Sequence, residues 1–140
     1  MGNILNASVE LIGDRMKFKG VAGSNPEIIT DYIPPLGEGE GYMPLELFLV
    51  SLSTCLGGAV AALIRKTRKS LEALSISAEG VRRETHPTSF EKITLSIRVK
   101  SPDATKQDIE KVLEMAEPIC PVLAMIKGNV EVTTEVEVSA

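Results

Sequence analysis

The chain has 140 residues, a net charge of −4, and 44% hydrophobic against 24% charged residues. That describes one globular chain with room for a core, neither disordered nor fibrous. The acidic balance, the lack of tryptophan and 4% aromatics exclude a nucleic-acid binder built on basic patches or stacking platforms.

Ala7, Val9 and Leu11 alternate with Ser8 and Glu10, as in a half-buried strand. Gly13-Asp14 marks a turn, and Met16 and Phe18 begin a second strand, giving a hairpin. Residues 20–26 read as a loop, and 28–33 as a short third strand. The run Pro34-Pro35-Leu36-Gly37-Glu38-Gly39-Glu40-Gly41 fits neither helix nor central strand. It is expected to be an irregular, mobile connector.

Residues 44–70 then read as one long helix. Pro44 suits the first turn, where its missing N–H costs nothing. Arg65, Lys66, Arg68 and Lys69 suit the negative end of the helix dipole. Between them the helix is apolar nearly all round, so protein or lipid must enclose it. Ser51, Ser53, Thr54, Gly57 and Gly58, and the lack of a second such segment, favour a core helix over a membrane span. Gly57-Gly58 is read as a place where another element packs closely.

Leu74 to Ala78 and Phe90 to Val99 alternate cleanly and are joined by a polar hairpin tip carrying His86, the only histidine. Strands wet on one face belong to an antiparallel sheet. Thr105 and Asp108 form a capping-box pattern before a helix whose apolar face is Ile109, Val112, Leu113 and Ala116. Cys120-Pro121 starts a short helix closed by Gly128, and Val130 to Val138 is the last strand. The expected fold is a single α+β domain over residues 1–140 with antiparallel sheets.

Few residues can carry chemistry. One histidine at a hairpin tip gives no triad, and two cysteines with one distant histidine give no metal-ligand spacing. No phosphate-binding glycine loop is present, and no metal or bound cofactor is expected. No secretion or lipidation signal is visible, so the expected location is a reducing cytoplasm. Cys55 lies inside the long helix among Ser51, Leu52, Gly58 and Ala59; Cys120 precedes the proline-initiated helix, where a helix N-terminus lowers a thiol pKa. Spacing leaves two readings open. The cysteines are small buried hydrophobes, or they cycle between dithiol and disulfide.

The run Pro44-Leu45-Glu46-Leu47-Phe48-Leu49-Val50-Ser51-Leu52-Ser53-Thr54-Cys55, with Cys120-Pro121-Val122, resembles the OsmC/Ohr family of thiol peroxidases. Glu84-Thr85-His86-Pro87, with Phe90 and Lys92, resembles the hairpin of its general OsmC-like branch. The resemblance implies an OsmC-like fold: an intertwined homodimer with two cysteine helices packed centrally against the sheets. It implies that Cys55 reduces an organic hydroperoxide, that Cys120 resolves the product as a disulfide, and that a dithiol, of lipoyl type in the Ohr branch, restores both.

The family also uses an arginine from its N-terminal strands to stabilise the thiolate, with an acidic residue to orient it. By position these are Arg15, the only arginine before the long helix, and Glu46. The acid is one place later than in the best-known members, since Leu45 directly follows Pro44. Nine residues separate Glu46 from Cys55, which at ~100° per residue puts them on opposite sides of a helix. Two other classes fit the element order. One is a hotdog-type thioesterase using Glu46, and the other is a non-catalytic protein holding an apolar ligand near Gly57 and Gly58. No membrane or nucleic-acid partner is expected.

Overall fold

The computed structural model describes residues 2–140. The chain, expected as one domain, divides into two compact units, Met1–Phe48 and Leu49–Ala140. The boundary falls inside the long helix.

In the first unit, β1 (Ala7–Ile12), β2 (Lys17–Ala22) and β3 (Ile28–Thr30) form an antiparallel sheet in that order. The β1–β2 hairpin turns at Gly13, whose φ of 76° suits glycine. β2 runs on through Gly20, where a loop was expected. Gly20 pairs with both Val9 and Ile28, and their side chains would stand 3.6 Å from a Cβ there, at ordinary packing distance.

The stretch after β3, expected as a mobile connector, is instead pinned. Asp31 is fully buried, at 0% exposure. Its carboxylate accepts N–H bonds from Tyr32 (2.8 Å), Glu38 (3.1 Å) and Glu40 (3.2 Å). One buried acceptor thus gathers backbone donors from across the turn, which is how a buried carboxylate is satisfied. Lys17 Nζ lies 2.6 Å from both Glu38 and Glu40 and ties the same loop to β2.

The long helix α1 spans Pro44–Lys66, four residues shorter than expected. It stops because the Thr67 hydroxyl donates to Ile64 O at 2.7 Å and Arg68 takes a φ of 64°, outside the helical region. Along α1, Leu52, Leu56, Val60 and Ile64 are buried at four-residue spacing. The opposite side is not: Val50 is 51% exposed, and Thr54, Gly58 and Ala62 are exposed. Only 22% of the most apolar 18-residue window is buried within the chain, and by length and composition α1 could cross a membrane. Of the two glycines, Gly57 is closely approached, with Ile76 Cδ1 3.2 Å from where a Cβ would stand; Gly58 has nothing within 4 Å.

In the second unit, β4 (Ala73–Arg82) pairs with β5 (Phe90–Lys100) in antiparallel register, Ala73 opposite Lys100. Gly80 is required in β4, because a Cβ there would press on the Phe90 ring. The last strand β6 (Glu131–Ser139) joins the far side of β5 in parallel, Lys92 opposite Glu131 and Lys100 opposite Ser139. This corrects the expectation of wholly antiparallel sheets. Between β5 and β6 the chain passes through helix α2 (Lys106–Ala116), a 3-10 turn (Glu117–Ile119) and helix α3 (Pro121–Ile126). That crossover returns it to the end of the sheet where β5 began, so β6 must run parallel to β5.

α2 starts on the expected capping box. Asp108 N–H donates to Thr105 Oγ1 (3.1 Å), and Thr105 N–H donates to Asp108 Oδ2 (2.9 Å), a pairing worth about 1 kcal/mol. The core of this unit is the buried α1 stripe, Ile93, Leu95, Ile97 and Val99 of β5, and Ile109, Val112, Leu113 and Ala116 of α2. Each large side chain so buried contributes roughly 1.5–3 kcal/mol.

Candidate active site

The second unit brings the two cysteines together. Cys55 is presented from the middle of α1 and is half-buried; Cys120 is the N-cap of α3 and is 1% exposed. Both thiols are free, and Cys55 lies near enough to Cys120 to influence its ionisation. Pro121 in the first turn of α3 fixes the chain where Cys120 turns into the helix, and Leu123 N–H donates to Cys120 Sγ at 3.4 Å.

The electrostatics of Cys120 differ from what its place before a helix predicts. Burial pushes its thiol above the ordinary value of 9.0, and the neighbouring Cys55 pushes the same way. The N–H groups of Leu123 and Val122 pull it down without reversing the shift. A six-residue helix supplies a weak dipole, and removal from water outweighs it. Cys120 is therefore a neutral thiol at physiological pH. Cys55, the more accessible of the two, is the sulfur that a reagent from solvent meets first.

Arg15 and Glu46 lie in the first unit and are engaged separately. Arg15 sits in the β1–β2 turn, and its guanidinium donates to Gly37 O at 3.3 Å. Glu46 closes the start of α1, its carboxylate accepting Met43 N–H at 2.8 Å. That is the first-turn role its position favours. No ion pair joins Arg15 to Glu46 among the described residues. His86 is exposed at the β4–β5 hairpin tip.

One cluster was missed from the sequence. The carboxylates of Asp31, Glu38 and Glu40 lie within 4.8 Å of one another. Lys17 supplies the positive charge they share, and its ammonium is held protonated by hydrogen bonds to Glu38 and Glu40. The only signal for it is the alternation Gly37-Glu38-Gly39-Glu40-Gly41, which read as connector composition.

An α+β chain carrying one thiol on a long apolar helix, near a second at the start of a short helix, defines a class of paired-cysteine proteins. The OsmC-like protein family model matches residues 37–135. The organic hydroperoxide resistance protein-like 1 of Staphylococcus epidermidis is 32% identical over 114 residues, covering 79% of this chain and 81% of that protein. A hypothetical protein from Aquifex aeolicus superposes with a TM-score of 0.85 at 28% identity, over 98% of this chain and 97% of that one. An OsmC-like protein from Mycoplasma pneumoniae superposes with a TM-score of 0.87 over the whole of both chains, at 16% identity. The chain belongs to the OsmC/Ohr family.

Proposed function

We propose that the protein is a cysteine-based peroxidase for organic hydroperoxides. The observation that carries this reading is the proximity of a half-buried thiol, Cys55, to a buried neutral one, Cys120. The name of the S. epidermidis relative supports the substrate class.

The chemistry follows from the two environments. The Cys55 thiolate attacks the terminal oxygen of the hydroperoxide. The O–O bond breaks, the alcohol leaves with a proton, and Cys55 becomes a sulfenic acid. Cys120, protonated at rest, is no competitor for the peroxide, because the thiolate is the nucleophile. Once Cys55 is oxidised, Cys120 sulfur attacks it, the S–O bond breaks, water leaves with the thiol proton, and a disulfide forms. An external dithiol exchanges with that disulfide and restores both thiols. On the family resemblance, Arg15 is the cation proposed to favour the Cys55 thiolate. Glu46 is the acid proposed to orient Arg15, a role that requires it to leave Met43 N–H.

The exposed apolar side of α1 supports a homodimer, in which a second copy covers Val50 and its neighbours along that face. The expected sedimentation mass is twice the chain mass of 15.0 kDa at micromolar concentration. A species of single-chain mass at that concentration would overturn the dimer. Nothing among the described residues favours the other readings. The space beside Gly57 is occupied by Ile76, and the Glu46 carboxylate is committed to a helix cap.

The test is a count of free thiols before and after one equivalent of cumene hydroperoxide, with mass spectrometry of the digest. The expected result is rapid loss of both thiols and a linked Cys55–Cys120 peptide. Persistence of both thiols would sink the proposal.

A further inference from the structure

Three observations converge on α3. It has six residues, none of them buried. A helix this short does not stand on its own propensity in water. Its one side-chain N-cap is the Cys120 sulfur, which accepts Leu123 N–H. That same sulfur lies near enough to Cys55 for the two thiols to influence each other's ionisation. The atom that caps the helix through its side chain is thus also the one that lies near the other thiol.

We propose that α3 is a redox-responsive segment, ordered by the reduced Cys120 sulfur and released when that sulfur enters a disulfide with Cys55. The inference rests on the peroxidase reading only for its physiological oxidant, an organic hydroperoxide. When the disulfide forms, each thiol gives up a proton and an electron, and the hydroperoxide is reduced to alcohol and water. Cys120 Sγ closes to a covalent bond of about 2.05 Å with the Cys55 sulfur. It is drawn away from Leu123 N–H, and a disulfide sulfur is a poor acceptor. Residue 123 then has no side-chain cap, and α3 has only the half-buried Val122, Leu123 and Ile126 to hold the turn.

The consequence reaches beyond the cap. Leu123, Ala124 and Lys127 form one wall of a cavity of about 580 Å3, of which Leu56, Val130 and Val132 form another part. Leu56 adjoins Cys55 in α1. Loosening α3 opens this cavity, which reaches α1 one residue from Cys55, at the stage of the cycle when a dithiol must reach a cysteine that is 1% exposed in the reduced protein. Oxidation therefore prepares its own reversal.

Hydrogen exchange read by mass spectrometry tests this on the full-length protein. One arm compares the reduced protein with protein oxidised to completion by diamide, which takes two electrons and two protons from the thiols and needs no peroxidase activity. Peptides covering residues 118–128 are expected to exchange at least tenfold faster in the disulfide form, while α2 peptides stay unchanged. Equal exchange in the two forms, with the disulfide confirmed by mass, would overturn the proposal.

A second arm uses reduced Cys120→Ala and Cys120→Ser. The alanine variant lacks the cap and is expected to exchange faster over the same residues; the serine variant, whose hydroxyl is a good N-cap, is expected to retain protection. Alanine and serine variants that both match the wild type would also overturn it. If diamide releases α3 but cumene hydroperoxide oxidises neither thiol, the peroxidase reading fails and the switch stands.

Discussion

Cys55→Ser is expected to reduce hydroperoxide turnover by at least a thousandfold while leaving the fold intact. Serine is close to cysteine in volume, and residue 55 is half-buried, so little packing is lost. What disappears is the thiolate. A serine hydroxyl is not ionised at neutral pH and does not cleave an O–O bond. Cys120→Ser should behave differently in the first turnover. The peroxide is still consumed once, because Cys55 is present, and the sulfenic acid then persists for want of a partner. Adding dimedone should label Cys55 in the Cys120→Ser protein and leave the wild type largely unlabelled. Equal steady-state rates for Cys55→Ser and wild type would remove Cys55 from the chemistry. That result would return both cysteines to the role of small buried side chains.

The second large effect lies in the first unit. Gly37→Ala is expected to destabilise that unit by about 2–4 kcal/mol, as severe overpacking does. A Cβ at Gly37 would stand 2.2 Å from Asp31 Oδ1 and 2.3 Å from Tyr32 O. The clash is with backbone and with the carboxylate that organises the loop, so no flexible side-chain end can swing away. Thermal unfolding followed by circular dichroism should show a midpoint lower by several degrees. An unchanged midpoint would mean the loop shifts freely, and the pinned description would be wrong.

The same carboxylate predicts a pH dependence. Burial opposes its charge, but the N–H groups of Tyr32, Glu40 and Glu38 and the nearby Lys17 prevail and hold Asp31 below the ordinary 3.8. A depressed carboxyl pKa contributes stability that is fully present above 3.8. That contribution is lost as the pH falls from there through the lower folded value. Asp31→Asn should flatten this acid limb.

The parts of the fold visible in the sequence were those set by local pattern. Pro44 and the apolar run marked the start of α1 and most of its length, because a first-turn proline and a missing polar face have no other good explanation. The Thr105–Asp108 cap and the alternation in β5 were equally local. The parallel pairing of β6 was not visible, since Val132, Thr134, Val136 and Val138 alternate identically whichever way the neighbouring strand runs. Asp31 was passed over for a related reason. A lone aspartate after a strand looks like turn chemistry, and its partners are backbone N–H groups that leave no trace in residue identity. At the candidate site, the sequence motifs singled out Cys55 and Cys120, and the structure places the two thiols near enough to influence each other's ionisation. The sequence misjudged the acidity of Cys120, because a helix start is written in residues 120 and 121 while burial is set by the whole unit.

The order of strands also bears on how the chain is made. Thr94 of β5 meets Thr133 of β6, 39 residues later. During synthesis, β4 and β5 can close as a local hairpin as soon as they emerge. One flank of β5 then stays open until β6 has been translated. A strand flank left unpaired in a nascent chain is a template for association with other chains. The protein is thus exposed to misassembly on the ribosome in the interval before the nine-residue β6 is released.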